Sequence, residues 1–194
     1  MTLRRHRIIV LLLTVGVVGF GIVIGVKGQM ARQRRYQAAQ MSPLTNDAVR
    51  LVSFKNAYVG DAANDYNLST QLPLGDVPHT IAIDPTQRSL EIHYQQSMGT
   101  LGIQTMESSL VYNATANFAL IGNLNSLTFV FPGTSFHTTR VQLQSWYGGV
   151  PTLSSRSSWN REVQQKLSHP RYVRGVFAKL FDRTALARAL NPSL

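Results

Sequence analysis

The stretch that decides the fold is residues 79–94, HTIAIDPTQRSLEIHY. Its two halves, His79-Thr80-Ile81-Ala82-Ile83 and Leu90-Glu91-Ile92-His93-Tyr94, alternate with period two, as half-buried strands do. Between them Asp84-Pro85-Thr86-Gln87 carries turn chemistry: proline presets φ, and aspartate can bond its own backbone. The segment reads as a β-hairpin.

Working outward toward the C-terminus, residues 105–124 follow a helical pattern. Leu110, Ala114, Phe118 and Ile121 recur at spacings of three and four, with Val111 beside them. Residues 126–131 form a third strand, ended by Pro132-Gly133. Thr138 or Thr139 caps a short helix that reaches Tyr147 and stops at Gly148-Gly149-Val150-Pro151. Toward the N-terminus, Asp61 suits the cap of a helix over residues 62–72, closed by Pro73 and Gly75. Short helices alternating with three strands give an α+β domain over residues 51–150, a small antiparallel sheet with helices on one face.

Ahead of that domain, residues 8–26 are an uncharged apolar run in which Thr14 is the one polar side chain. As a helix the run would be about 28 Å long, near the thickness of a bilayer's hydrocarbon core. It is expected to be a transmembrane helix behind a short tail, residues 1–7. It is too long for a signal-peptide core, and no small-x-small cleavage site follows, so it reads as an uncleaved anchor. Arg4, Arg5 and Arg7 before it nearly balance Lys27, Arg32, Arg34 and Arg35 after it. The short tail favours a cytoplasmic N-terminus and an extracytoplasmic domain. Residues 27–50 read as a juxtamembrane linker, helical up to Gln40 and broken by Ser42-Pro43. Residues 151–194 read as a basic, mainly helical extension.

The net charge of +10 is unevenly spread. Residues 1–35 hold seven basic side chains and no acidic ones; residues 36–155 hold four basic and seven acidic. Residues 156–194 hold eight basic and two acidic side chains. Two basic ends flank a mildly acidic body, and beside a membrane their partner is anionic lipid or envelope polymer rather than nucleic acid. Arg32, Arg34 and Arg35, with Arg171, Arg174, Lys179 and Arg183, are the expected membrane-surface residues. Residues 172–190 set Val173, Val176, Phe177, Leu180, Phe181 and Thr184 on one helical stripe. That stripe suits either acyl chains or the domain core, and the charge asymmetry favours the membrane surface. Cysteine is absent, which excludes disulfides, thiolate catalysis and cysteine-ligated zinc.

Candidate chemistry is sparse. Tyr58-Val59-Gly60-Asp61 can shape a ligand-binding turn, or simply lead into a capped helix. Asp61, Asn64, Asp65 and Asn67 gather oxygen ligands, without the spacing of a calcium loop. Glu91 and His93 share a strand face and, with His79 nearby, can bind a metal or form an acid–base pair; a surface cross-strand cluster is the simpler explanation. Asn113 and Asn117 lie one helical turn apart, available to a ligand or to neighbouring backbone. The candidate ligand-binding set is Tyr58, Gly60, Asp61, Asn113 and Asn117. No catalytic motif, metal centre or cofactor fingerprint occurs, so no cofactor is expected.

Several pieces together resemble an uncharacterised Firmicutes family, domain of unknown function number 4825. They are residues 54–61 (FKNAYVGD), Gln71-Leu72-Pro73-Leu74 and the hairpin, residues 112–124 (YNATANFALIGNL), Leu127-Thr128-Phe129, and the helix from Thr139-Arg140 to Trp146-Tyr147-Gly148. The resemblance covers residues 51–149. It implies a Gram-positive domain outside the membrane, behind an anchor or attached to membrane regulatory proteins, and supplies no substrate or catalytic residue. The expected function is a membrane-anchored extracytoplasmic domain that binds a ligand or partner in sensing or regulation; the alternatives are a small envelope hydrolase or a structural envelope protein. On this reading the full-length chain sediments with membranes and resists carbonate and salt. Recovery of a shortened soluble chain starting near Arg32 would contradict it.

Overall fold

The computed structural model describes residues 29–100, 102–153 and 155–185. The chain divides into two compact units, residues 1–39 and 40–194. In the first, residues 29–39 are helical, with Arg32, Arg34 and Arg35 exposed. The expected transmembrane run, residues 8–26, lies outside the described residues. Among the described residues no helix is long and apolar enough to cross a membrane.

The second unit is built on the hairpin. Strand β1, His79–Asp84, pairs antiparallel with β2, Ser89–Tyr94, in a register that sets Asp84 opposite Ser89. The turn forms because the Asp84 carboxylate accepts N–H bonds from Thr86 at 2.8 Å and Gln87 at 2.9 Å. Helix α1, Ala62–Gln71, precedes the hairpin; Asp61 caps it by accepting the Asn64 N–H at 3.1 Å. After β2 the chain forms α2, Ile103–Leu120, and returns as β3, Ser126–Phe131, parallel to β2. A parallel return needs such a crossover, because a tight turn can join only antiparallel neighbours.

Pro132-Gly133 then makes a two-residue turn into β4, Thr134–Thr139, with Phe131 opposite Thr134. Gly133 takes φ of +83°, which a side chain would resist. Helix α3, Arg140–Tyr147, starts at a capping box of Thr139 and Gln142 and stops at Gly148 in the left-handed region. Helix α4 is α-helical over Arg156–Trp159, π-helical over Asn160–Gln164 and α-helical again over Gln165–Leu167. Helix α5, Pro170–Leu180, has proline in its first turn, where no N–H is missed. Strand β5, Asp182–Ala185, pairs antiparallel with β4. The sheet order is β1-β2-β3-β4-β5.

The expected fold class, a transmembrane helix ahead of a small antiparallel sheet, is therefore corrected. The fold is α+β with a five-stranded mixed sheet, and the described helices include none that spans a bilayer. The first helix, the hairpin, the third strand and the capped α3 lie where the sequence puts them. Two strands are additional. β4 follows the Pro132-Gly133 turn, which the sequence reads only as the end of the third strand, and β5 occupies residues assigned to a helix reaching residue 190. That helix ends at Leu180, where Phe181 turns extended; residues 186–190 lie outside the described residues. The long helix also ends four residues early, at Leu120 instead of Leu124.

The core lies on one face of the sheet. Leu90, Ile92 and Tyr94 of β2 and Leu127, Phe129 and Phe131 of β3 are buried there, with Phe136 of β4. Helix α2 is buried from Ser108 to Phe118 without a break, not along one stripe. Aromatic rings link the sheet to α5: Tyr94 stacks on Phe131 at 4.8 Å, and Phe136 meets Phe177 at 5.3 Å. Val173, Val176 and Leu180 are fully buried. The apolar stripe of α5 is thus spent on the core and is not free for acyl chains; Arg171, Arg174 and Lys179 on its other side are exposed.

The segment before residue 51 contributes as well. Asn46 donates to the Gln40 and Gln71 carbonyls at 2.6 and 2.8 Å, and accepts from the Tyr112 hydroxyl at 2.9 Å. Tyr112 in turn accepts from the Trp159 indole at 3.3 Å, and Gln164 donates to the Asn46 carbonyl at 2.9 Å. Phe118 is 1% exposed. Replacing it with alanine should cost about 3–5 kcal/mol, read by chemical denaturation of the full chain. An unchanged midpoint would show that the ring does not support the core.

Candidate functional site

The turn at residues 58–61 is held from within. The Val59 N–H donates to the Asn123 side chain at 2.6 Å, and the Gly60 N–H donates to the Asp65 carboxylate at 3.2 Å. Gly60 has φ of +128°, and a Cβ there would meet Pro85 of the hairpin turn at 3.7 Å, so backbone conformation rather than crowding selects glycine. Tyr58 is 71% exposed beside this turn. Asp61 is occupied as a helix cap, and Asn64 donates to the Phe54 carbonyl at 2.9 Å. These residues are bonded to their own chain, as a capped helix start requires, and do not form an oxygen cage.

Asn113 and Asn117 are both buried. Asn113 donates to the Pro73 carbonyl at 2.6 Å, and Asn117 donates to the Asn113 carbonyl one turn back at 2.8 Å. Near them, burial pushes the ionisation of the Tyr94 phenol well above its ordinary range. The two asparagines share a helix face but not a surface with Tyr58, Gly60 or Asp61. The candidate ligand-binding set therefore does not converge on one opening.

His79 and the Glu91–His93 pair are separated by strand parity. His79 pairs with Tyr94 and points to the core, where its ring meets the Ser69 hydroxyl at 2.8 Å and the Val77 carbonyl at 2.7 Å. Thr80 pairs with His93, so His93 and Glu91 point to the opposite face. Among the described residues no group of three histidines, aspartates or glutamates could hold a metal ion.

That opposite face extends across all five strands. Register sets Ala82, Glu91, Thr128, His137 and Asp182 in one row across five strands, with Thr80, His93, Val130, Ser135 and Thr184 in the next. Four of its polar side chains are held in two pairs, and Asp182 is held from helix α3. His93 meets Glu91 at 2.9 Å, the Thr128 hydroxyl meets His137 at 3.0 Å, and Gln142 donates to Asp182 at 3.1 Å. Glu91, His93, Thr128 and His137 are half-buried, enough to order them while leaving one side to solvent. Thr128, His137 and Asp182 were missed in the sequence; the third strand, residues 126–131, was the available signal for Thr128, and the two-residue Pro132-Gly133 turn for His137.

A small cavity of about 110 Å³ lies elsewhere, between Gln40, Asp47, Arg50, Phe54 and Gln71. It is well below the several hundred Å³ usual for a small-molecule site. Asp47 there is already paired with Arg156 at 2.7 Å.

Of the expected membrane-surface residues, Arg32, Arg34, Arg35, Arg171, Arg174, Lys179 and Arg183 are all exposed. Arg171, Arg174 and Lys179 lie on α5, which packs on the core side of the sheet. Arg183 leans over the Phe136 ring at 5.9 Å and donates to the Thr134 hydroxyl at 3.3 Å.

With the geometry in view, residues 51–141 match a family profile described as a domain of unknown function (DUF4825). The resemblance read from the sequence holds over that segment, which contains β1 to β4 and α2 and ends at the start of α3. No curated protein and no solved structure matches the chain.

Asp65 offers a test of the buried polar chemistry near the turn. Burial raises its carboxyl above the ordinary carboxylate range, against the lowering effect of the bonds from Gly60 and Asn64. A carboxyl raised in the folded state binds its proton more tightly there than when unfolded. Its stabilising contribution is therefore complete in acid and lost as pH rises through the folded value. Asp65→Asn should raise the melting temperature at neutral pH and gain progressively less in mild acid. An equal shift at both would contradict this assignment.

Proposed function

We propose that the chain is a non-catalytic binding domain of the cell envelope, which holds a protein partner against the open face of its sheet in a sensing or regulatory role. The row Glu91, Thr128, His137 and Asp182 carries this reading. Pre-ordered polar side chains on a rigid sheet lose little entropy when a partner docks, and the sheet is wide enough for a protein surface. Glu91 and Asp182 are acceptors, so the partner presents hydrogen-bond donors to them.

Charge supports the same arrangement. Glu91 and Asp182 occupy the open face, whereas Arg171, Arg174 and Lys179 lie on the outer side of α5, across the molecule. We place the basic side toward an anionic surface of the extracytoplasmic membrane leaflet or wall polymer, and the open sheet face away from it. Because the α5 apolar face is buried, such contact is electrostatic and falls with salt.

Photo-crosslinking in cells tests the docking face. A crosslinker in place of His137 should capture one discrete protein adduct, and one at Arg174 should not capture the same protein. An adduct formed only from the helical side, or none from the sheet, would overturn the reading.

A further inference from the structure

We propose that β1 is the seam of a homodimer, pairing antiparallel with β1 of a second copy so that two five-stranded sheets become one of ten. β1 is an edge of the sheet, bonded to β2 on one side, and no other described strand lies along its second side. Exposed edges in natural sheets are guarded by lysine, proline, bulges or covering elements. β1 has none of the first two within its six residues, and its one charge, Asp84, stands at its end. Ile81 and Ile83 point to the core side yet remain only half-buried, and among the described residues no strand continues the apolar layer beyond them.

The sequence of β1 selects a second copy as the occupant. A two-fold axis perpendicular to the sheet keeps the core sides of both copies together, so opposed residues must share a face. The register with Ala82 opposite Ala82 sets Ile81 against Ile83 and Thr80 against Asp84. It completes the apolar layer, gives each carboxylate a hydroxyl donor and brings no like charges together. Moving two residues along, to Ile81 opposite Ile81, sets Thr80 against Ala82 and leaves Asp84 without that donor. A seam of five residues per copy buries less than the roughly 1,200 Å² of a standard interface, so the dimer is weak and depends on local concentration. It is independent of the partner assigned to the open face.

The absence of cysteine makes the register directly testable, since an introduced thiol has no competitor. Opposed Cα atoms in an antiparallel pair lie about 4.5–5.5 Å apart, inside the disulfide range. Under mild oxidation the full chain carrying Ala82→Cys should form a disulfide dimer. Tyr58→Cys, an exposed control, and Thr80→Cys should stay largely monomeric, while mixed Thr80→Cys and Asp84→Cys chains should crosslink to each other. Sedimentation of the unaltered chain should show a mass rising toward twice the monomer with concentration. Ala82→Lys, which opposes two ammonium groups at the axis, should suppress that rise. Equal crosslinking at Tyr58→Cys, a mass that stays monomeric throughout, or dimers indifferent to Ala82→Lys would each overturn the proposal.

Discussion

Parallel pairing of β2 with β3 forces the chain to leave the sheet between them and come back from the same end, and α2 fills that excursion. An 18-residue helix covers about 27 Å, more than β2 or β3 needs for its own apolar face. Helix α2 is also buried on nearly every side, with Leu110, Val111, Ala114, Ala116, Phe118 and Leu120 all buried. A helix of that kind cannot present a second face to water and must be covered there as well. The sheet covers one side. The other is closed by α5, through Val173, Val176 and Leu180, and by α4, through Trp159 and Val163.

The matched family segment stops at residue 141, yet the core does not. Residues 51–141 contain α2 but neither α4 nor α5, so that segment alone would leave the far side of α2 open. The same demand reaches the N-terminal side. Tyr112 carries its hydroxyl into the core beside Trp159, and a buried hydroxyl without partners costs about 1–3 kcal/mol. Asn46 and the Trp159 indole satisfy it. Asn46 is itself satisfied by the Gln40 and Gln71 carbonyls, while the π-turn of α4 places Gln164 to bond the backbone of Pro43 and Asn46. Residues 40–47 are held in place by polar bookkeeping more than by apolar area.

What could be read from the sequence was local. Asp61, the Asp84 turn and the Thr139–Gln142 box act within four residues, and each sits where its chemistry put it. Period two in β1 and β2 was equally legible. What could not be read was long-range pairing. Whether β2 and β3 run parallel depends on which end of the sheet the chain re-enters, and no residue of either strand records it. The stripe of α5 was ambiguous for the same reason, because an apolar face suits lipid and a protein core alike. Phe136 resolves it: it lies between Phe131 of β3 and Phe177 of α5, and the second contact joins residues some 40 positions apart. β5 was hidden because Arg183 and Thr184 fit the charged flank and apolar edge of a continued helix.

Strand parity governs the site as much as the fold. His79 and Thr80 are neighbours in sequence, yet one is closed in among Tyr66, Tyr94 and Ser69 and the other is exposed. A one-residue slip of β1 against β2 would bury Thr80 and carry His79 to the face that holds Glu91 and His93. The register is fixed by the Asp84 turn at one end and by the bonds of His79 at the other, so the slip loses hydrogen bonds at both. The open face is therefore polar because of choices made elsewhere. The turn sets the register, the register assigns each side chain its face, and the apolar residues taken by α2 leave Glu91, Thr128 and His137 as what the sheet presents to a partner.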